Sequence, residues 1–386
     1  MKKRILSIIL AIATVFIMAI PASASDINLV IDGTRVTNQA VAPVVEDGRT
    51  LVPLRLISET LGADVSWNPS RREATIETAA YTVVFTIGST SYTVNGARKT
   101  LDVAPKIVNE TTMIPMAAFA DSIGAKVNYV ASTHTATIDY FTTMTGTLKI
   151  NGSTTVQPIA QAAADKLVSM NRGLSITVDG GGSGTGIKDA ASGTVNIGMS
   201  SRELTADEKK DLNVYTVAND GIAIIVHPSN AVQNLTKDQA AKIFLGEIRN
   251  WNEVGGANAP ILVTTRETGS GTRATFEEML LNKESVAGSA QPFTSSALIL
   301  QGVARERNAI GYDSIGFLDS TVKAVNLDGT VASAANVIAN RYGLGRQLYV
   351  CTSGRATGLS AIFIDYLRSV DCQDNIVIKE GYVKIN

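Results

Sequence analysis

Arg266-Glu267-Thr268-Gly269-Ser270-Gly271-Thr272-Arg273 sits between two stretches of different periodicity. Before it, Ile261-Leu262-Val263 is a continuous apolar run, the mark of a buried strand. After it, Ala274 to Leu281 places apolar residues three and four apart, the spacing of a helix. A Gly/Ser/Thr turn therefore joins a strand to a helix N-terminus. Unsatisfied backbone N–H groups and the positive end of the helix dipole converge there, and the hydroxyls add donors. Arg266 and Arg273 bracket the turn, and a guanidinium fork matches a tetrahedral oxyanion. Taken alone, the turn is equally an ordinary helix cap, where Ser and Thr are common.

The same unit recurs upstream. Leu148-Lys149-Ile150 leads through Asn151-Gly152-Ser153-Thr154-Thr155 into a helical stretch, Val156 to Met170, with Pro158 tolerated in its first turn. Leu174 to Val178 leads through Gly180-Gly181-Gly182-Ser183-Gly184-Thr185-Gly186 into a helix from Ile187. Val195 to Gly198 leads through Met199-Ser200-Ser201-Arg202 into a helix over Ala206 to Asp211. Strand–turn–helix alternation of this kind implies an α/β fold with parallel strands, whose ligands bind at the carboxyl edge. Four hydroxyl-rich turns at one edge supply many donors and few acceptors, which suits a small oxyanion. The Gly-rich turn is not a P-loop, since no Lys stands at the required place, and it lacks the acidic partner of a dinucleotide fingerprint.

From Thr147 to Asn386 the chain resembles the phosphate-binding proteins of bacterial phosphate ABC transporters. The likeness rests on Gly152 to Pro158, Gly182 to Ile187, Ile197 to Leu204, Asp220-Gly221-Ile222-Ala223, Ile243 to Gly256, Arg266 to Thr272 and Ala309-Ile310-Gly311-Tyr312. It implies a two-lobe periplasmic-binding-protein fold (type II), with the anion held between lobes. The first lobe would run from Thr147 to Ile222 and resume near Asp313; the second would span Ala223 to Tyr312. The implied phosphate ligands are Ser153, Thr154, Ser183, Ser201, Arg266, Ser270, Gly271 through its backbone, and Thr272, with Thr155 and Ser200 as adjacent alternatives. Several members carry Asp where this chain has Ser201, and that Asp accepts the proton phosphate retains. Asp220 is the candidate substitute, and equally a turn or edge carboxylate. Arg273 has Glu277 four residues on, a helical pairing distance that draws it away from the site.

Residues 26 to 140 hold an internal repeat. Val41-Ala42-Pro43, Thr50 to Leu54, Leu61-Gly62-Ala63, Trp67 and Ala74 to Glu77 all recur, 62 residues later, as Val103-Ala104-Pro105, Thr112 to Met116, Ile123-Gly124-Ala125, Tyr129 and Ala136 to Asp139. Each copy reads as a hairpin, a strand ending at Pro53 or Pro115, a two-turn helix stopped by Gly62 or Gly124, and a closing strand pair. A unit this small buries little by itself, so the copies should pack together. Asp47 to Arg55, Glu59 to Ala63 and Val65-Ser66-Trp67 resemble the copper amine oxidase N-terminal-like, or stalk, domain. That likeness implies a small α+β tandem-repeat module acting as a spacer or a contact to cell-wall material. Its sequence carries no copper-ligand pattern. Residues 141–146 read as a linker.

Composition narrows the function further. The chain has 386 residues and a formal net charge of −1, with no basic run, so nucleic acid is not an expected partner. Lys2, Lys3 and Arg4 precede an uncharged run from Ile5 to Ile20 and an A-x-A pattern at Ala22 and Ala24, the form of a cleaved signal peptide over residues 1–24. That run is 16 residues long, short of the ~20 that a spanning helix needs. No Cys follows it, so an exported protein without a lipoprotein anchor is expected. Cys351 and Cys372 fit either a disulfide or two buried thiols. Two histidines, His134 and His227, leave a His-rich metal site and a Ser-His catalytic system unsupported. The expectation is a non-catalytic, cofactor-free binding protein that hands inorganic phosphate to the membrane permease subunits of an ABC importer. The alternatives are a sulfate or molybdate binder, a phosphatase, or an envelope structural or sensor protein.

Overall fold

Two copies of the 62-residue repeat meet back to back. In the computed structural model, which describes residues 27–37 and 41–385, the strands Arg49–Pro53 and Thr111–Pro115 pair antiparallel with Val52 opposite Ile114. Those two residues are equivalent in the repeat, so an approximate two-fold axis passes through the pair. Each proline ends its strand and starts a helix, Leu54–Thr60 or Met116–Ile123, because its fixed φ suits the first turn and its missing N–H is not needed there. Gly124 closes the second helix at φ 76°, a left-handed cap that glycine takes without strain. The first strand, Asn28–Ile31, pairs in parallel with the last, Thr135–Asp139. The proposed leader lies outside the described residues.

The remaining chain forms one ten-stranded sheet shared by two lobes. In the first lobe, Leu174–Asp179, Gly146–Gly152 and Ile197–Ser200 lie parallel, as the strand–turn–helix pattern requires. Beside them run two antiparallel strands, Gly345–Ser353 and the long Leu212–Val226. The long strand is the hinge. Its residues Leu212 to Gly221 pair with Gly345–Ser353, while Ile222 to Val226 pair with Ala309–Ser314 of the second lobe. Leu262–Arg266 and Gln291–Phe293 complete that lobe in parallel.

Two hydrophobic cores follow this division. Ile224, Phe244, Trp251, Phe276, Tyr312 and Leu344 belong to the second, where Phe276 stacks on Tyr312 with ring centroids 3.8 Å apart. Val322, Val325, Leu327 and Tyr342 lie in this core too. The chain thus returns to the first lobe at Gly345 and not near Asp313, because Lys323–Leu327 adds a strand to the second lobe's half of the hinge. Trp251 is a core residue anchored by its indole N–H to Asn308 O at 3.0 Å.

The other core is continuous across the N-terminal module and the first lobe, joining Leu54, Ile57, Phe119 and Tyr140 to Ile150, Val350, Phe363 and Leu367. Residues 141–146 are part of this joint. Phe141 and Met144 are buried, and Asp32 Oδ1 accepts the backbone N–H groups of Tyr140, Phe141 and Thr142. On the lobe side, helix Gly358–Arg368 offers Asp365, fully buried, which accepts from Ala79 N at 2.8 Å and Tyr140 Oη at 2.7 Å. Burial pushes its carboxyl up to about 7, against the pull of those two donors. Gly62 lies so close to the Asp365 carbonyl that any side chain there would collide with backbone. Cys351 and Cys372 are free, buried thiols, and burial drives the Cys351 pKa up to about 12.

Candidate anion-binding site

The four turns converge between the lobes. Ser153, Thr154, Thr155, Gly182, Ser183 and Ser201 from the first lobe face Arg266, Ser270, Gly271 and Thr272 from the second across a tightly closed cleft. Larger surface clefts exist, one of about 640 Å³ bounded by Gly246, Arg249 and Glu306. Size does not decide where a small ion sits; converging donors do. Eight of the nine residues named from sequence as ligands line this pocket.

Local chemistry places each one. Gly152, at φ 141°, packs against the Met199 backbone where no Cβ fits, which turns Ser153 to Thr155 inward. The Gly-rich turn is shorter than expected: its helix begins at Ser183 and runs to Ala191, so Ser183 stands in the first turn. Ser270 caps helix Gly271–Leu280, its Oγ accepting Arg273 N at 3.3 Å. Gly271 faces the Ser183 and Ser201 hydroxyls at a separation that a methyl group would fill. Ser200 turns away, donating to Arg202 O at 2.8 Å. Arg202 pairs with Glu208, which its guanidinium holds down to about 2. Arg273 binds Glu277 at 2.7 Å.

Arg266 ends its strand almost wholly buried, at 1% exposure. Nη2 donates to Thr154 Oγ1 and Nη1 to Ser296 Oγ, both at 3.0 Å, while Nε and Nη2 also reach the Phe293 and Thr294 carbonyls. Burial pulls its pKa down, with Asp313 the strongest charge opposing that. Among the described residues, no carboxylate forms an ion pair with it. A buried cation with neutral partners is a costly arrangement that an anion relieves.

Asp220 is not in the pocket. It is fully buried behind it, with Oδ2 accepting Arg346 Nε and Nη2 at 2.9 and 2.8 Å and Oδ1 accepting Ser314 Oγ at 2.6 Å. A guanidinium fork takes up the carboxylate that was the candidate proton acceptor. Sequence reasoning also missed Arg346 itself. Its Nη1 donates to Thr272 Oγ1 and Ser201 O, each at 3.0 Å. Arg346 lies near the start of a hinge strand that no hydroxyl-rich turn precedes, and the one local signal was a charge set beside an apolar run. Asp313, inside strand Ala309–Ser314, was missed for the same reason; Ser296 was missed although it opens a helix after the Thr294-Ser295 turn, a signal that could have found it. Across the pocket, Thr155 Oγ1 meets Thr272 Oγ1 at 2.8 Å, Ser201 Oγ meets it at 3.3 Å, and Gly184 N donates to Gly269 O at 3.0 Å. Among the described residues, no group of three His, Cys, Asp or Glu side chains is arranged to hold a metal.

Residues 130–371 match the family described as the PBP superfamily domain, and residues 30–138 match the copper amine oxidase N-terminal domain. The phosphate-binding protein PstS of Bacillus subtilis is 38% identical over 247 residues, covering 62% of this chain and 81% of that protein. The PstS of Borreliella burgdorferi is 30% identical, covering 62% and 90%. Among solved structures, a candidate phosphate ABC transporter substrate-binding protein from Clostridium perfringens, with bound phosphate, superposes with a TM-score of 0.60 at 37% identity, covering 62% of this chain and all of that one. An ABC-type phosphate transport receptor from Vibrio cholerae gives 0.53 at 33% identity, covering 61% and 99%.

Proposed function

This chain belongs to the PBP superfamily, among the PstS phosphate-binding proteins, and from that premise we propose that it captures inorganic phosphate between its lobes and delivers it to an ABC importer. The observation that carries the reading is Arg266: a buried cation with no carboxylate ion pair among the described residues, set in a pocket of hydroxyl and backbone donors contributed by both lobes. Phosphate would replace the hydroxyl contacts that now bridge Thr155 and Thr272. Because donors come from both lobes, binding and closure about the Gly221–Ile222 hinge would be one event, and closure would present the loaded form to the permease.

The pocket binds without turning its ligand over. Neither histidine lines it, and its hydroxyls answer to one another and to arginines rather than to a base. Export through the leader over residues 1–24 belongs to the same reading. Among the described residues, no helix is long and apolar enough to cross a membrane. Calorimetry on the phosphate-stripped protein tests the function: one phosphate per chain is expected, and absence of binding overturns it. N-terminal sequencing of the secreted form, expected to begin after Ala24, tests the leader.

A further inference from the structure

One of the anion-binding turns is also held from behind. After Gly381 the chain crosses the long hinge strand and pairs with it at one residue. Asn219 N donates to Val383 O at 2.7 Å, and Val383 N donates to Asn219 O at 2.9 Å. Asn219 Nδ2 adds a bond to Lys384 O at 3.0 Å, and Ile385 N donates to Oε1 of the buried Gln373 at 3.0 Å. Asn219 lies just before the Gly221–Ile222 hinge. The crossing divides its side chains between the lobes: Tyr382 is buried in the first core and Val383 in the second.

Tyr382 touches both sides of the molecule. Its Oη donates to the backbone carbonyl of Thr155 at 2.7 Å. Burial drives the phenol pKa well up, so the group keeps its proton and stays a donor. Its ring lies against Gly316, so close that a Cβ there would stand 2.5 Å from Cζ. Gly316 belongs to the second lobe, in the turn Ile315–Phe317 directly after strand Ala309–Ser314, and its N–H donates to Ser314 Oγ at 3.1 Å. One aromatic side chain is therefore wedged between the turn that carries Ser153, Thr154 and Thr155 and a segment of the opposite lobe. On the other side of that turn, Thr155 Oγ1 meets Thr272 Oγ1 across the cleft at 2.8 Å.

We propose that Tyr382 is a positioning residue for the anion site: braced on the second lobe at Gly316, it holds the Thr155 turn opposite Thr272, so that residues 381–385 set how long a bound anion is retained. The proposal rests on the phosphate-binding reading above. Tyr382 does not line the pocket, and its effect passes through the Thr155 carbonyl. A buried carbonyl that loses its donor is relieved only if its turn shifts. Such a shift carries the donors of Ser153 to Thr155 away from their partners in the second lobe. Because the brace stands on Gly316, the same turn also responds to where the second lobe lies.

The test is release of radiolabelled inorganic phosphate from the full-length protein into an excess of unlabelled phosphate, on the wild type and on Tyr382→Phe and Gly316→Ala. Tyr382→Phe keeps the ring and removes only the donor. Gly316→Ala displaces the ring from the opposite lobe. Each should speed release by about tenfold, the cost of a buried carbonyl left without its bond, with the association rate within about twofold of the wild type. A merely structural role would lower the melting temperature of the phosphate-free protein and leave the release rate where it was, and that result overturns the proposal. Should Gly316→Ala not fold, Tyr382→Phe, which removes a single oxygen, carries the test. A wild type that retains no labelled phosphate is a separate result, and it overturns the functional reading itself.

Discussion

Two buried polar clusters in this molecule solve opposite problems. At the junction of the N-terminal module and the first lobe, Asp365 is met by Ala79 N and Tyr140 Oη, donors from the segments it must hold. Its contacts come from within the chain, and the result is a joint. In the pocket, Arg266 is met by hydroxyls and carbonyls; among the described residues Asp313 is the strongest opposing charge but forms no ion pair with it, and Asp220 is committed to Arg346. Positive charge and donors are left over, and the result is a binding site. Burial of polar groups alone does not tell the two apart. The difference lies in whether the chain itself supplies the complementary charge.

The contrast breaks first at Arg266. Arg266→Ala should cut phosphate affinity by more than about 100-fold, about 3 kcal/mol, as expected for truncating a buried charged partner. Near-native affinity in calorimetry would show that the pocket does not depend on its unpaired cation. Next comes Gly271→Ala, whose methyl group would enter the space against Ser183 and Ser201. Affinity should fall about tenfold, in line with an overpacking cost of about 1–3 kcal/mol, while the melting temperature without phosphate stays within the wild-type range.

The joint should respond the other way. Asp365→Asn is expected to lower stability by about 1–2 kcal/mol near pH 5 and leave phosphate affinity unchanged. Its pH dependence has a definite sign. Burial raises the Asp365 pKa from 3.8 to about 7, so the folded state holds the proton more tightly than the unfolded chain. The stability this gives is complete below about pH 4 and is lost as pH rises through about 7. Denaturant titrations should therefore show the wild-type advantage over Asp365→Asn shrinking across that window. An advantage that grows with pH would refute the assignment. The smallest effect is expected from Arg273→Ala. That arginine stands beside the pocket yet binds Glu277. Phosphate affinity should change by less than about threefold, with a stability loss of about 0.5 kcal/mol.

Much of the site was legible because its residues lie in short turns with a local signature. Ser153, Thr154, Ser183, Ser201 and the run from Arg266 to Thr272 each follow an apolar strand and precede a helix, and that pattern alone brings them to one edge of a parallel sheet. The repeat was legible for a similar reason, since a fixed spacing needs no partner to be seen. Arg346 and Asp313 carry no such signature, whereas Ser296 does: it opens a helix directly after strand Gln291–Phe293 and the Thr294-Ser295 turn. Arg346 lies in a strand that reads as ordinary, and Asp313 directly follows the Tyr312 of a recognisable motif without sharing its character. Asp220 was legible as a nearby carboxylate, but its commitment to Arg346, 126 residues away, was not.

By itself the sequence determined the alternation of strand, turn and helix, the two-copy module ahead of it, and the hydroxyl-bearing turns that line the pocket, because these depend on periodicity and on backbone chemistry within a few residues. Tertiary structure alone decided which charges find partners. It set Asp220 on Arg346, left Arg266 with no carboxylate ion pair among the described residues, returned the chain to the first lobe at Gly345, and merged the N-terminal module into the first lobe's core. Those outcomes depend on distances between segments that the chain order does not encode locally. A cation becomes a binding group or a strut according to what the fold packs against it.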